Sequence, residues 1–516
     1  MADNDADCLI VGGGHNGLVA AWYLARAGLK VLVLERRPVV GGAAVTEEPF
    51  PGYRIGTCAY IAHMLQPKVI HDLALRDHGL HIYPLDPAAL FPFPDGAHFR
   101  MWHSAQRTAE EIAPLSTADA KAYPAWIRFW ERAGALLLRY FLREPPTFAQ
   151  LAADVAGTDD AALLETLLTV PLRDLAERTF QDPRLAAAAV GTGDFGQIDA
   201  PGSALTQAYF KTNLLTPDRD YGIVRGGMGG ITQAMAAAVT AAGAPIRTEA
   251  PVQRILVRDG RACGVVLASG ETLTAPYILS NADPKTTFLR LVDPAALPSD
   301  FLAAVARLKT RSASLKVHAV LKRLPDFSRF LRPDDDLSRL AMIRIMPSLD
   351  AIEASWRDAM AGIPTRHPLM QLQIPTVIDP TLAPPGAHVL SAWVTYQPAR
   401  LREGTWAARG REVGERLLDA IASYAPDIRD CIEDWLLISP EEIESRVGMT
   451  DGNIRHLDIL PHQMLAARPL PGWSDYRTPL PGLYLCGAGT PPGGEVTGAP
   501  GHNAAQALLR DRRGAA

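Results

Sequence analysis

Short apolar runs and longer stretches of helical spacing alternate along this chain. Cys8 to Val11 is apolar and partly β-branched, the pattern of a strand buried on both faces. Leu18, Ala21, Trp22 and Ala25 then recur at helical spacing, and Gly28 stands where a helix should end. Lys30 to Leu34 reads as a second buried strand, closing on Glu35. Within 123–142, Trp126, Phe129, Trp130, Ala133, Leu137 and Tyr140 follow a helical period and predict a core helix, with a membrane-dipping or substrate-entry helix as the alternative. Val252 to Val257 and Ala262 to Ala268 flank a turn at Asp259-Gly260 and predict a hairpin. "SLKVHAVL" and "AHVLSAWVTYQP" read as strands, and 407–424 as a helix. A last strand, Leu483 to Cys486, leads through Gly487 and Gly489 into a helix expected from about Val496.

The glycines give the first of these patterns a chemistry. Gly12, Gly14 and Gly17 stand at GxGxxG spacing between the first strand and the first helix. Such glycines allow a tight turn, a close approach of backbone to a pyrophosphate, and close packing of helix on strand. Free N–H groups at the helix start, around His15 and Asn16, favour the diphosphate. Glu35 lies 21 residues beyond Gly14, where a carboxylate bonds a ribose hydroxyl. That carboxylate would repel a 2′-phosphate, which disfavours NADP and leaves NAD and FAD. A second glycine pair, Gly41 and Gly42, follows between Arg36 and Ala43 and favours FAD. The later run at Gly226, Gly227, Gly229 and Gly230 fails the same test, because Thr232 replaces the third glycine and no acid follows a second strand. No separate nicotinamide-binding unit is expected. At the other end of the chain, a helix after the Gly487 loop would turn its positive end toward a flavin.

Composition narrows the picture further. A chain of 516 residues is too long for one ordinary core, so two intertwined domains are expected. The formal charge of -5 and the scattered basic residues give no case for nucleic acid. Five widely spaced cysteines without a CxxC exclude a disulfide relay and suggest a reducing, cytoplasmic compartment. The acidic "MADNDAD" start is unlike a secretory or transit signal, and no apolar run of about 18 residues predicts a spanning helix.

Three blocks together resemble the phytoene desaturase superfamily of FAD-dependent oxidoreductases: "VGGGHNGLVAAWYLARAGLKVLVLERRPVVGGAAVTEE", "VRGGMGGITQAMA" with "SNADP", and "GLYLCGAGTPPGGEVTGAPGHNAA". Within it, the likeness is to carotenoid isomerases, O-type ketolases and the pyridine nucleotide-disulfide oxidoreductase domain-containing 2 group. The resemblance is weakest over about 100–220 and 325–430. It implies an α/β fold, with a Rossmann-type FAD-binding domain of parallel sheet drawn from 1–75, 221–300 and 440–516. An inserted α+β substrate domain would occupy 76–220 and 301–439. It also implies FAD contacts at Gly12, Gly14, Gly17, Glu35 and Gly42, an adenine contact at Val252, and contacts beside diphosphate and flavin at Gly487, Val496 and Thr497. The chain departs from many relatives at Pro491 and Glu495, where they carry His and Gly.

The expected activity is FAD-dependent desaturation, oxidation or isomerisation of a largely apolar, isoprenoid or polyene-like small molecule. Hydride would pass to flavin N5, and oxygen or a quinone would accept the electrons. An amine or amino-acid oxidase, and a flavin-bound interaction protein with little catalysis, are the alternatives. No metal is called for. Glu495, just before the expected helix start, is the candidate general base against the plainer reading of a solvated cap. Peripheral membrane contact through the 123–142 helix is the remaining partner reading.

Overall fold

Five parallel strands from distant parts of the chain lie side by side in the order Leu483–Leu485, Tyr277–Ser280, Cys8–Val11, Val31–Leu34, Ile246–Arg247. This computed structural model describes residues 5–191, 196–311, 313–333 and 335–514, so the first four residues of the acidic start lie outside it. Parallel neighbours need crossover connections, and helices supply them. The helix His15–Arg26 packs between Gly229–Ala241 and Ala499–Gly514 on one face of the sheet. The other face is covered by a three-stranded sheet built on the predicted hairpin, Val252–Arg258 with Arg261–Leu267. Asp259 and Gly260 both take positive φ, 50° and 71°, as the tight hairpin turn requires.

A seven-stranded mixed sheet forms the second body of the fold, in the order Ile432–Ile438, Ala313–Leu321, His388–Gln397, Met370–Gln373, Met342–Ile345, Ala89–Pro92, His98–Met101. Successive side chains of a strand point to opposite faces. Leu315, Val317, Ala319, Leu372, Leu390 and Ala392 turn one way, into a core shared with the helix Trp406–Ala422. The intervening Lys316, Trp393, Gln371 and Arg344 turn the other way and fall in register as one row across four strands. That polar face looks toward the parallel-sheet body. Helices between residues 105 and 211 complete the fold around a third core.

The expected core helix is present with other bounds, and the start of the final helix shifts. The long helix spans Thr117–Leu138, opened by Ser116, whose hydroxyl accepts from the Asp119 N–H at 3.2 Å. Trp126 and Trp130 on it are buried in the core and meet edge to face at 5.3 Å, so neither is presented to a membrane. Among the described residues, no helix is long and apolar enough to cross a membrane. The final helix begins at Ala499 rather than near Val496. Glu495 and Val496 hold φ of 74° and 55°, a left-handed conformation that cannot join a right-handed helix.

Candidate cofactor site

Ligands in open α/β sheets bind beyond the carboxyl ends of the strands, and there a cavity of about 360 Å³ opens. Its floor is backbone. Gly12 turns the chain at φ 100°, and a Cβ on Gly17 would stand 2.3 Å from the Gly12 carbonyl oxygen. A Cβ on Gly14 would stand 2.8 Å from the Asn281 amide nitrogen. The second glycine pair is pinned onto the first loop, since Gly41 N–H donates to the Gly13 carbonyl at 2.9 Å. Glu35, at the end of its strand, accepts from the backbone N–H groups of Gly13 at 2.8 Å and Arg37 at 2.9 Å. Those two bonds fix a carboxylate at the cavity rim.

Gly12, Gly14, His15, Asn16, Glu35, Arg36, Gly41, Gly42, Ala43, Val252, Glu495 and Val496 all line this one cavity. Gly17, Gly487 and Thr497 stand behind its wall. Gly17 seats the helix on the loop. Gly487 packs so closely that a Cβ would meet the Asn281 carbonyl oxygen at 2.7 Å and the His456 ring at 2.9 Å. The Thr497 hydroxyl accepts from the Ala499 N–H at 3.2 Å and so opens the last helix.

The cavity suits a dinucleotide such as FAD. A glycine floor that side chains would fill leaves room for a diphosphate at a helix N-terminus. The buried atoms His15 Nε2, Asn16 Oδ1 and His456 Nδ1, all from lining residues, have no hydrogen-bond partner among the described residues. Burial, with His456 close by, lowers the His15 pKa to about 3, so its imidazole is neutral.

Glu495 has a different setting from either expectation. It is neither a solvated cap nor a free base: Arg455 Nε pairs with one oxygen, and His63 Nε2 lies 3.2 Å from the other. Burial alone would push its pKa up, but the Arg455 guanidinium and the His63 hydrogen bond outweigh it and hold the carboxyl at about 2. Such a group takes up a proton poorly near neutral pH.

Sequence reasoning missed Asn281, Tyr60, Trp393, His63, Arg455 and His456, which also line the cavity. Asn281 alone carried a signal, since it follows a parallel strand directly, as Gly12 and Glu35 do. Its side-chain amide donates to the Gly12 carbonyl at 3.2 Å and locks two strand ends together.

Residues 17–509 match the family described as flavin containing amine oxidoreductase. The chain belongs to that family. Like the resemblance read from the three glycine-rich blocks, this membership makes it an FAD-dependent oxidoreductase. It is 32% identical over 549 residues to the pyridine nucleotide-disulfide oxidoreductase domain-containing protein 2 of Rattus norvegicus, covering 98% of this chain and 93% of that protein. It is 30% identical over 533 residues to one polypeptide of the limonene dehydrogenase of Castellaniella defragrans, covering 98% and 94%. Among solved structures, a triple mutant of putrescine oxidase shares the fold of this flavin family member, with a TM-score of 0.63 at 16% identity over 99% of both chains.

Proposed function

We propose that this oxidoreductase dehydrogenates or isomerises a largely apolar molecule of isoprenoid or polyene type, lying against Tyr60 and Trp393. Bound FAD supplies the two-electron acceptor. Gly12, Gly14, Gly41 and Gly42 hold its diphosphate, Glu35 an adenosine ribose, and Val252 the adenine side, while Val496 backs the flavin end. Tyr60 and Trp393, with ring centroids 5.1 Å apart, form an apolar shelf, and the Tyr60 hydroxyl donates to Gln371 Oε1 at 2.8 Å. Apolar walls position a substrate and exclude water. The limonene dehydrogenase among the relatives supports an isoprenoid-like substrate. With no nicotinamide unit in the sequence, oxygen or a quinone is the electron acceptor.

The observation that favours this over an amine substrate is the charge around the shelf. The Arg455 guanidinium, paired with Glu495, sits 5.8 Å from the Trp393 ring centroid, and the Lys316 Nζ 5.8 Å from that of Tyr60. Glu495, already paired with Arg455 and His63, offers no free negative charge to a protonated amine. Anaerobic mixing with limonene, a carotene and putrescine is the test. Bleaching of the flavin by a hydrocarbon, or flavin-dependent isomerisation of one, is expected. Bleaching by putrescine alone would replace this reading with amine oxidation.

A further inference from the structure

A second cavity, of about 100 Å³, lies beside the first. The row of side chains across the seven-stranded sheet runs from one to the other, with Gln371 between them. Trp393 lines the cofactor cavity, Gln371 on the next strand takes the Tyr60 hydroxyl, and Arg344 on the strand after that lines the second cavity. Two strand spacings separate Trp393 from Arg344, ~10 Å. Phe91, 5.9 Å from the Arg344 guanidinium and stacked on Phe99 at 4.7 Å, begins an aromatic wall that Trp126 continues.

Set in this apolar wall are Arg344 and Lys211, both partly buried. Neither forms a hydrogen bond or an ion pair with any described residue, and Arg344 Nε is buried without a partner. Glu131, the one acid among the lining residues, pairs with neither. Burial, and Arg344 nearby, lower the Lys211 pKa to about 7. Two cations enclosed together without a counter-ion weaken a fold. An anionic ligand removes that penalty.

We propose that this cavity binds the carboxylate of an otherwise apolar substrate, with Arg344 as a two-pronged donor and Lys211 as its second cation. A planar guanidinium matches a carboxylate in bidentate fashion. The aromatic wall takes the apolar skeleton, and ~10 Å of it reaches the Tyr60–Trp393 shelf. The inference rests on the proposed function only in calling this ligand the substrate.

Calorimetric titration of the FAD-loaded protein with decanoate, decan-1-ol and decyl phosphate tests it. Decanoate should bind about tenfold or more tighter than the alcohol, as charge-assisted hydrogen bonds predict. Arg344→Gln and Lys211→Met should each remove that preference, with flavin content unchanged, and Lys211→Arg should retain it. Should Arg344→Gln fail to fold, Lys211→Met against Lys211→Arg decides. Equal affinity for acid and alcohol in the wild type, or a preference that survives both neutralising variants, overturns the subsite. Tighter binding of decyl phosphate than of decanoate overturns the carboxylate assignment in favour of a phosphate. Acid preference in a protein whose flavin only amines reduce would retain the subsite and remove the proposed function. Hydrocarbon turnover without acid preference would do the reverse.

Discussion

The two sheets meet the same cavity with different materials. The parallel sheet offers strand ends and backbone: at Gly14 and Gly41 a Cβ would stand within 2.8 Å of a neighbouring atom, and Gly12 holds a φ of 100°. The seven-stranded sheet offers a broad face of side chains, with Lys316, Trp393, Gln371 and Arg344 aligned across four strands. A site made of backbone constrains residue type by sterics, so substitution is all or nothing. A site made of side chains constrains it by charge and shape, so substitution is graded.

The largest effect should come from the backbone side. Gly17→Val places methyl groups where even a Cβ would lie 2.3 Å from the Gly12 carbonyl oxygen, so the purified variant should carry no flavin. Gln371→Leu, on the side-chain face, should keep full flavin absorbance. Full occupancy in Gly17→Val would erase the contrast between the sheets.

Arg455→Met comes next. It leaves Glu495 buried with His63 as its only remaining partner among the described residues. Removing one member of a buried ion pair costs about 3–5 kcal/mol, measurable as a lowered Tm. Adding Glu495→Gln to that variant should restore part of the loss. Glu495→Gln alone should slow flavin reduction without removing a titration limb near neutral pH, because the carboxyl sits at about 2. A hundredfold fall with loss of such a limb would make Glu495 the base after all.

A smaller effect is a pH dependence on the polar sheet face. Burial lowers the Lys316 pKa from 10.5 to about 7, while its Nζ donates to the Gly56 carbonyl at 2.9 Å. Between those values the unfolded chain holds a proton that the folded chain has released, so stability rises with pH across that window. Wild type should therefore gain Tm on Lys316→Met as pH is raised from about 7 toward 10. A flat difference would place the ammonium in a wetter setting. Last, and expected to be nil, is flavin reduction by NADH or NADPH in anaerobic stopped flow. Gly222–Val224, the strand before the second glycine run, pairs antiparallel with Ile82–Pro84 outside the parallel sheet, so no second nucleotide unit forms there.

The same contrast explains what could be read in advance. The first strand, glycine loop, helix and Glu35 were legible because each position answers a steric or hydrogen-bonding demand made within one short segment. The hairpin at Asp259-Gly260 was legible for the same reason. The strands "SLKVHAVL" and "AHVLSAWVTYQP" were legible as strands, but which face looks at a ligand depends on partners far away in the chain. His63 meets Glu495 from 432 residues earlier in the chain, and Arg455 from 40 residues earlier. The start of the last helix was misplaced because nothing local announces positive φ at Glu495 and Val496.

Gly501 would, with a Cβ, press within 2.1 Å of the Asn16 carbonyl oxygen, so one of the first helices made clasps the last. During synthesis, the strand Leu483–Leu485 and the residues up to Val496 emerge after every other wall of the cavity exists. A nascent chain therefore waits with its nucleotide cradle incomplete until residues 483–496 have been made. Flavin capture must follow the making of that segment.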